Sequence, residues 1–217
     1  MNRRALLKRL TTVGGAVALS SLAKGAELCA VNTPKQPKGP FYPIKDQIDK
    51  DADLTVIDGS NQQAIGRVVY VSGVVQDEKC QPVEEAFVEI WQACASGKYN
   101  HPADPNNAKL DPNFQYWGIV KTNSKGEYLF KTIYPGAYPA DRTWIRPPHI
   151  HFKVSKWGYR ELITQLYFEG EDLNEKDLIL QSLSHDEHPS VVRPVKVVKG
   201  DNGQKIEIVD FPITLLR

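Results

Sequence analysis

The segment Trp144-Ile145-Arg146-Pro147-Pro148-His149-Ile150-His151-Phe152-Lys153-Val154 carries the sharpest chemical signal in the chain. Successive side chains of a strand alternate faces, so His149 and His151 point one way while Ile150, Phe152 and Val154 point the other. The apolar set belongs to a core. Two imidazoles at i and i+2 can both reach one metal ion, although the same spacing also suits a solvated or hydrogen-bonded pair. Only five histidines are present. His101 falls in an irregular loop, and His185 with His188 lies in a polar Ser-His-Asp-Glu-His run that reads as a solvated turn. Further ligands of a metal bound by His149 and His151 must therefore come from nearby loops and from other residue types.

Tyrosine is the informative type. Most of the nine tyrosines sit at apolar strand positions where packing accounts for them, but Tyr99 in SGKYNHP and Tyr138 in YPGAYPAD lie in loops dense in Gly and Pro. A phenol bound to a metal must lose its proton against an ordinary pKa of about 10, and a trivalent hard cation offsets that cost far better than Zn²⁺ or Cu⁺. Two phenolates with two imidazoles suit ferric iron. Arg146 brings a fixed positive charge to the same opening, while an Arg beside two prolines equally suits a surface salt bridge.

The elements that must hold these residues read as short strands. GRVVYVSGVV, from Gly66, is almost continuously apolar, as in a strand covered on both faces. Asp77 to Pro82 is a turn cluster, AFVEIWQA a second strand, and YWGIVKT a third after the irregular loop from Ser96 to Phe114. TNSKGEYLFKTI places a Ser-Lys-Gly turn between apolar runs and predicts a hairpin. PVKVVKGDNGQKIEIVDFPITL predicts a last hairpin turned at Gly200-Asp201-Asn202-Gly203, and one short helix is expected near the C-terminus, around Asn174 to Leu183. Short strands punctuated by turns predict an all-β chain, a β-sandwich with long irregular loops. Pro34, Pro37, Pro40 and Pro43 forbid a helix and predict an extended N-terminal arm laid over another surface.

With 217 residues, 41% hydrophobic and 24% charged, the chain can bury one core, which excludes collagen, a disordered tail and a multi-pass membrane protein. A formal net charge of +1 supplies no footprint for nucleic acid. The first 26 residues hold five Lys or Arg and no acid, followed by a small, apolar run from Thr11 to Ala23, the layout of an export signal. Without those residues the chain carries a charge of about −4. Arg3-Arg4 before Ala5, Leu6 and Leu7 resembles a twin-arginine signal, which predicts a periplasmic protein exported already folded. The run is too short for a membrane span of about 20 apolar residues, and no stable membrane anchor is expected. Cys29, Cys80 and Cys94 have no CxxC spacing and define neither a zinc site nor a disulfide framework, leaving room for one bridge. The expected organisation is an export signal over 1–26, an arm over 27–65 and a catalytic sandwich over 66–217.

EIWQA followed by Tyr99, TIYPGAYP with Tyr138, RPPHIHF with His149 and His151, and LITQLYFEGE from Leu162 to Glu171 occur in that order. Together they resemble the intradiol ring-cleavage dioxygenases, and within them the protocatechuate 3,4-dioxygenase branch, from Gly39 to about Asp172. The resemblance implies that Tyr99, Tyr138, His149 and His151 hold a non-haem Fe(III) at the edge of a β-sandwich. It implies that Tyr138 is the ligand that leaves and accepts a catechol proton, and that Tyr99 stays bound. Arg146 would stabilise developing negative charge, Gln165 would orient the substrate, and Tyr42 of GPFYP would line the mouth. The implied reaction inserts O₂ between the two hydroxylated carbons of a catechol, protocatechuate or another substituted one, to give a muconate-type dicarboxylic acid. The implied partners are a small catechol, O₂, and either further copies of the chain or a related subunit. One departure bears on substrate: Ala140 stands where the branch commonly has Trp, so the pocket wall is wider there or filled from elsewhere. The competing readings are a secreted β-sandwich binding module without catalysis, and a copper or zinc site on His149 and His151 that leaves both tyrosines without a role.

Overall fold

The structure, a computed structural model, describes residues 32–47, 49–200 and 203–217. The expected export signal, Cys29 and the centre of the last turn at Asp201 and Asn202 lie outside the described residues. In chain order the strands are β1 (Val68–Asp77), β2 (Phe87–Trp91), β3 (Trp117–Lys121), β4 (Glu127–Ile133), β5 (Tyr138–Pro139), β6 (Ile145–Arg146), β7 (His149–Ser155), β8 (Leu162–Phe168), β9 (Val192–Arg193), β10 (Lys196–Lys199), β11 (Lys205–Asp210) and β12 (Ile213–Leu215). Among the described residues one short α-helix, α1 (His188–Val191), precedes β9.

Two five-stranded sheets form the sandwich. In the first, β4 pairs antiparallel with one edge of β1, and the other edge is shared by β11 and β12, both parallel to it. Pro212 interrupts those two strands because it cannot donate to a ladder. The predicted last hairpin is present as the antiparallel pair of β10 and β11. The second sheet runs β3-β2-β7-β8-β9. Side chains alternate as the pleat demands. Val69, Val71, Val75 and Phe130 of the first sheet meet Val88, Ile90, Ile150, Phe152, Val154 and Leu166 of the second in one buried core. Burying each such large side chain contributes roughly 1.5–3 kcal/mol.

Three local expectations need correction. β1 is not equally covered on both faces: its residues alternate between buried and half-buried, because only the inward face meets the second sheet. The Ser124-Lys125-Gly126 turn does not close a hairpin, since β3 pairs with β2 while β4 pairs with β1. A polar turn between apolar runs looks the same in sequence whether the chain folds back or crosses between sheets. The segment from Asn174 to Leu183 is not one helix. It forms two 3₁₀ turns, Asp172–Lys176 and Leu180–Ser182, separated by an extended Asp177 whose side chain is drawn away by Arg146.

The proline-rich arm takes the extended path expected and lies across the second sheet. Gln36 N–H donates to Ile163 O, and Thr33 Oγ1 accepts from Thr214 N–H. Cys80 is disulfide-bonded and Cys94 is a free, buried thiol. Among the described residues no helix is long and apolar enough to cross a membrane.

Candidate metal centre

Because Ile150, Phe152 and Val154 go to the core, β7 turns His149 and His151 to the outer face of the second sheet. Their cross-strand partners follow from register: Trp91 and Gln165 flank His151, and Tyr167 stands beside His149. Pro147 and Pro148 separate β6 from β7, and the pairing of β5 with β6 sets Tyr138 opposite Arg146. Tyr99 arrives from the loop after β2. A Cβ on Gly97, which has φ +79°, would stand 2.2 Å from Ala137 O, so only glycine lets the Tyr99 loop lie against the Tyr138 loop. The Tyr99 N–H is then tied to the buried Asp104 carboxylate at 2.7 Å.

The four expected ligands converge. His149 Nε2 and His151 Nε2 are 3.2 Å apart, and Tyr99 Oη lies 3.5 Å from His149 Nε2. The Tyr138 ring stands edge-on to Tyr99 with centroids 5.3 Å apart and is 5.6 Å from the His149 ring. All four are 2–3% exposed. His149 Nδ1 donates to Pro147 O at 2.7 Å, so its Nε2 carries a lone pair directed at the others. The His151 ring stacks on Trp91 at 4.8 Å, with its Nδ1 buried and, among the described residues, without a hydrogen-bond partner.

Arg146 crosses this group as a buried guanidinium. Its Nε donates to Asp177 Oδ2 at 2.8 Å, Nη2 to Gln165 Oε1 at 2.9 Å and to Tyr167 Oη at 3.0 Å, and Nη1 to His149 Nε2 at 3.1 Å. The surface salt bridge that two prolines allowed is replaced by a buried one with Asp177. Burial, helped by the Arg146 charge, holds both histidines well below their ordinary pKa, so they stand as neutral imidazoles. Burial also raises Tyr99 well above the phenol range and raises Tyr138, both opposed by the Arg146 charge.

This donor set fits a hard, trivalent cation. Two imidazole Nε2 atoms 3.2 Å apart, with a phenol oxygen 3.5 Å from one of them, are donors gathered at one point, and two deprotonated phenols would leave a trivalent ion one net positive charge to attract an anionic ligand. Among the described residues no group of three or more His, Cys, Asp or Glu side chains is placed to hold a metal ion, so a centre here requires the phenols.

Tyr42 stands one layer away. Its hydroxyl donates to Glu89 Oε2 at 2.8 Å and its ring meets Trp91 edge-on at 5.0 Å. Gln165 is occupied on both ends of its amide, accepting from Arg146 and Tyr167 and donating to Pro37 O at 3.0 Å. Ala140 is exposed and its N–H donates to Trp144 O, which sets Trp144 across the loop from the expected gap, with Arg146 5.5 Å from its ring. His185 and His188 face each other at 5.5 Å, and His188 Nε2 donates to Leu180 O, as in a turn. Residues the sequence reading missed are Phe41, packed 4.8 Å from the Tyr99 ring, together with Gln36, Tyr167 and Asp177. Period-two spacing from Gln165 could have found Tyr167; nothing local marks the other three.

A family model described as a dioxygenase, Dioxygenase_C, matches residues 38–216. The protocatechuate 3,4-dioxygenase beta chain of Burkholderia cepacia is 43% identical over 147 residues, covering 65% of this chain and 62% of that one. Catechol 1,2-dioxygenase 1 of Acinetobacter lwoffii is 31% identical over 215 residues, covering 89% of this chain and 64% of its own. The chain thus spans a little under two thirds of the length of both relatives. In fold it is similar to 3-chlorocatechol 1,2-dioxygenase from Rhodococcus opacus 1CP, with a TM-score of 0.67 and 21% identity over 90% of this chain and 78% of that one.

Proposed function

The chain belongs to the intradiol ring-cleavage dioxygenases, near their protocatechuate branch, and on that premise we propose that it is a non-haem Fe(III) enzyme cleaving a catechol between its two hydroxylated carbons. The observation that carries this reading is the convergence of two buried phenols and two neutral imidazoles beside a buried guanidinium. Tyr99, Tyr138, His149 and His151 would hold the iron. When bound, ferric iron supplies a Lewis-acid template on which a catechol dianion becomes reactive toward O₂.

The chain's own residues do the rest. The Pro147 carbonyl fixes the His149 tautomer, and the Trp91 face fixes the plane of His151. Tyr138, as a phenolate, would accept a proton from a catechol hydroxyl and become a neutral phenol, a general-base role. The Nη1 edge of Arg146 stabilises negative charge as it develops on the substrate, and does so without reorganising. Gln165 holds Arg146 and leaves an amide hydrogen for the substrate. Phe41 and the Gly39-Pro40 segment cover the centre and keep water from it.

The substrate class is a catechol, protocatechuate being the first to test. Export by the twin-arginine route and assembly, either with further copies or with a related subunit, belong to the same reading. The assembly is supported by the Burkholderia relative being a beta chain.

Oxygen uptake by iron-loaded protein with catechol, protocatechuate and hydroxyquinol, at measured iron content, tests the proposal. The expected result is a coloured protein that consumes at least one diol, with Tyr138→Phe or His151→Ala losing about 100-fold or more in turnover while the fold survives. Colourless, inert iron-loaded protein would favour the binding module, and unchanged turnover in either variant would remove these residues from the site.

A further inference from the structure

We propose that Asp177 is a positioning residue that decides which edge of the Arg146 guanidinium faces the candidate centre; the inference rests on the dioxygenase reading above. Asp177 and Arg146 are 0% and 3% exposed. Both carboxylate oxygens are used on one side of the fork, Oδ2 by Nε at 2.8 Å and Oδ1 by Nη2 at 3.2 Å. Gln165 and Tyr167 take the rest of Nη2. A guanidinium is planar and rigid, so fixing Nε and Nη2 leaves Nη1 one direction, toward His149 Nε2 at 3.1 Å.

Charge gives a second reason. A lone buried guanidinium beside a cation site would oppose the cation and lack a counter-ion, and the Asp177 carboxylate neutralises it at contact distance. Asp177 is itself held: Oδ1 also accepts Leu180 N–H at 2.8 Å, and Asp177 O accepts Gln181 N–H at 2.9 Å. The two 3₁₀ turns thus form a bracket around one carboxylate. Its side chain bonds Arg146, Tyr167 and Leu180 and none of the four candidate ligands, so its contacts reach the centre only through other residues, Arg146 foremost.

The test uses the iron-loaded full chain. Asp177→Asn is expected to lower kcat/KM for the consumed catechol about 10–100-fold, with the loss in kcat. The anaerobic dissociation constant for catechol, read from the shift of the visible band, is expected to stay near the parent value. On an Arg146→Leu background the same replacement is expected to cost nothing further. Should Asp177→Asn fail to fold, Asp177→Glu and Asp177→Gln carry the test: they match in length, and only the carboxylate is expected to restore turnover. Equal losses on both backgrounds, an affinity that falls as far as kcat/KM, or Gln serving as well as Glu would overturn the assignment. A parent chain that is coloured and active separates those outcomes from failure of the dioxygenase reading, whereas an inert parent overturns both.

Discussion

Among the described residues His151 Nδ1 has no hydrogen-bond partner, and contact holds the ring plane. Trp91 lies flat on one side, and the arm presses from another, where a Cβ on Gly39 would come within 3.2 Å of His151 Cε1. Gly39 also has φ +73°, a region that costs other residues about 1–2 kcal/mol. Gly39→Ala is therefore expected to lower stability by about that amount and to loosen iron retention, read as a lower urea midpoint and less iron per chain after dialysis. An unchanged midpoint with full iron would show that the arm bears on nothing at His151. At this scale the pattern HxH and the two loop tyrosines were legible, because period two and an unusual residue type are local signals. Asp177 was not legible, since a carboxylate in a polar turn looks the same whether or not an arginine distant in sequence reaches it.

The arm is the element whose role changes most once its contacts are known. Its prolines announce an extended path, but the working contact is the Gln36 amide. Oε1 accepts from Gln165 N–H at 2.9 Å and from Thr164 Oγ1 at 3.3 Å, while Nε2 donates to Tyr167 Oη at 3.3 Å. Since Gln165 and Tyr167 both hold Arg146, the arm is coupled to the guanidinium through two residues. Gln36→Leu strands these buried groups, at about 1–3 kcal/mol, and is expected to lower kcat as well as the unfolding midpoint. Thr33→Val, which breaks the contact with Thr214 at the far end of the same arm, is expected to lower the midpoint alone. Parallel melting and turnover measurements separate the two, and an unaltered kcat in Gln36→Leu would confine the arm to a structural role. The split of the expected 174–183 helix belongs at this scale too, because the helical propensity of that segment yields to the ion pair Asp177 makes.

For the whole molecule, the sandwich gives the second sheet an apolar inner face and an outer face of buried aromatic and polar residues, and the candidate centre is assembled on the outer one from β7, β5 and the loop after β2. A protein so built must fold before its ligands meet, and the proposed twin-arginine route is one that carries folded cargo. Replacing Arg3 and Arg4 together by Lys is expected to retain the protein inside the cell, measured by fractionation; unimpaired export of that variant would assign the segment to the ordinary secretory path. By itself the sequence determined the strand alternation, the extended arm and the four residues suited to a hard cation, because side-chain periodicity, fixed proline dihedrals and donor chemistry are properties of short segments. Only the tertiary structure decided that the Ser-Lys-Gly turn crosses between sheets, that Tyr42 serves Glu89, and that Asp177 aims Arg146. Each depends on which distant segment supplies the partner, and pairing across space is set by burial and complementarity that no local stretch of chain contains.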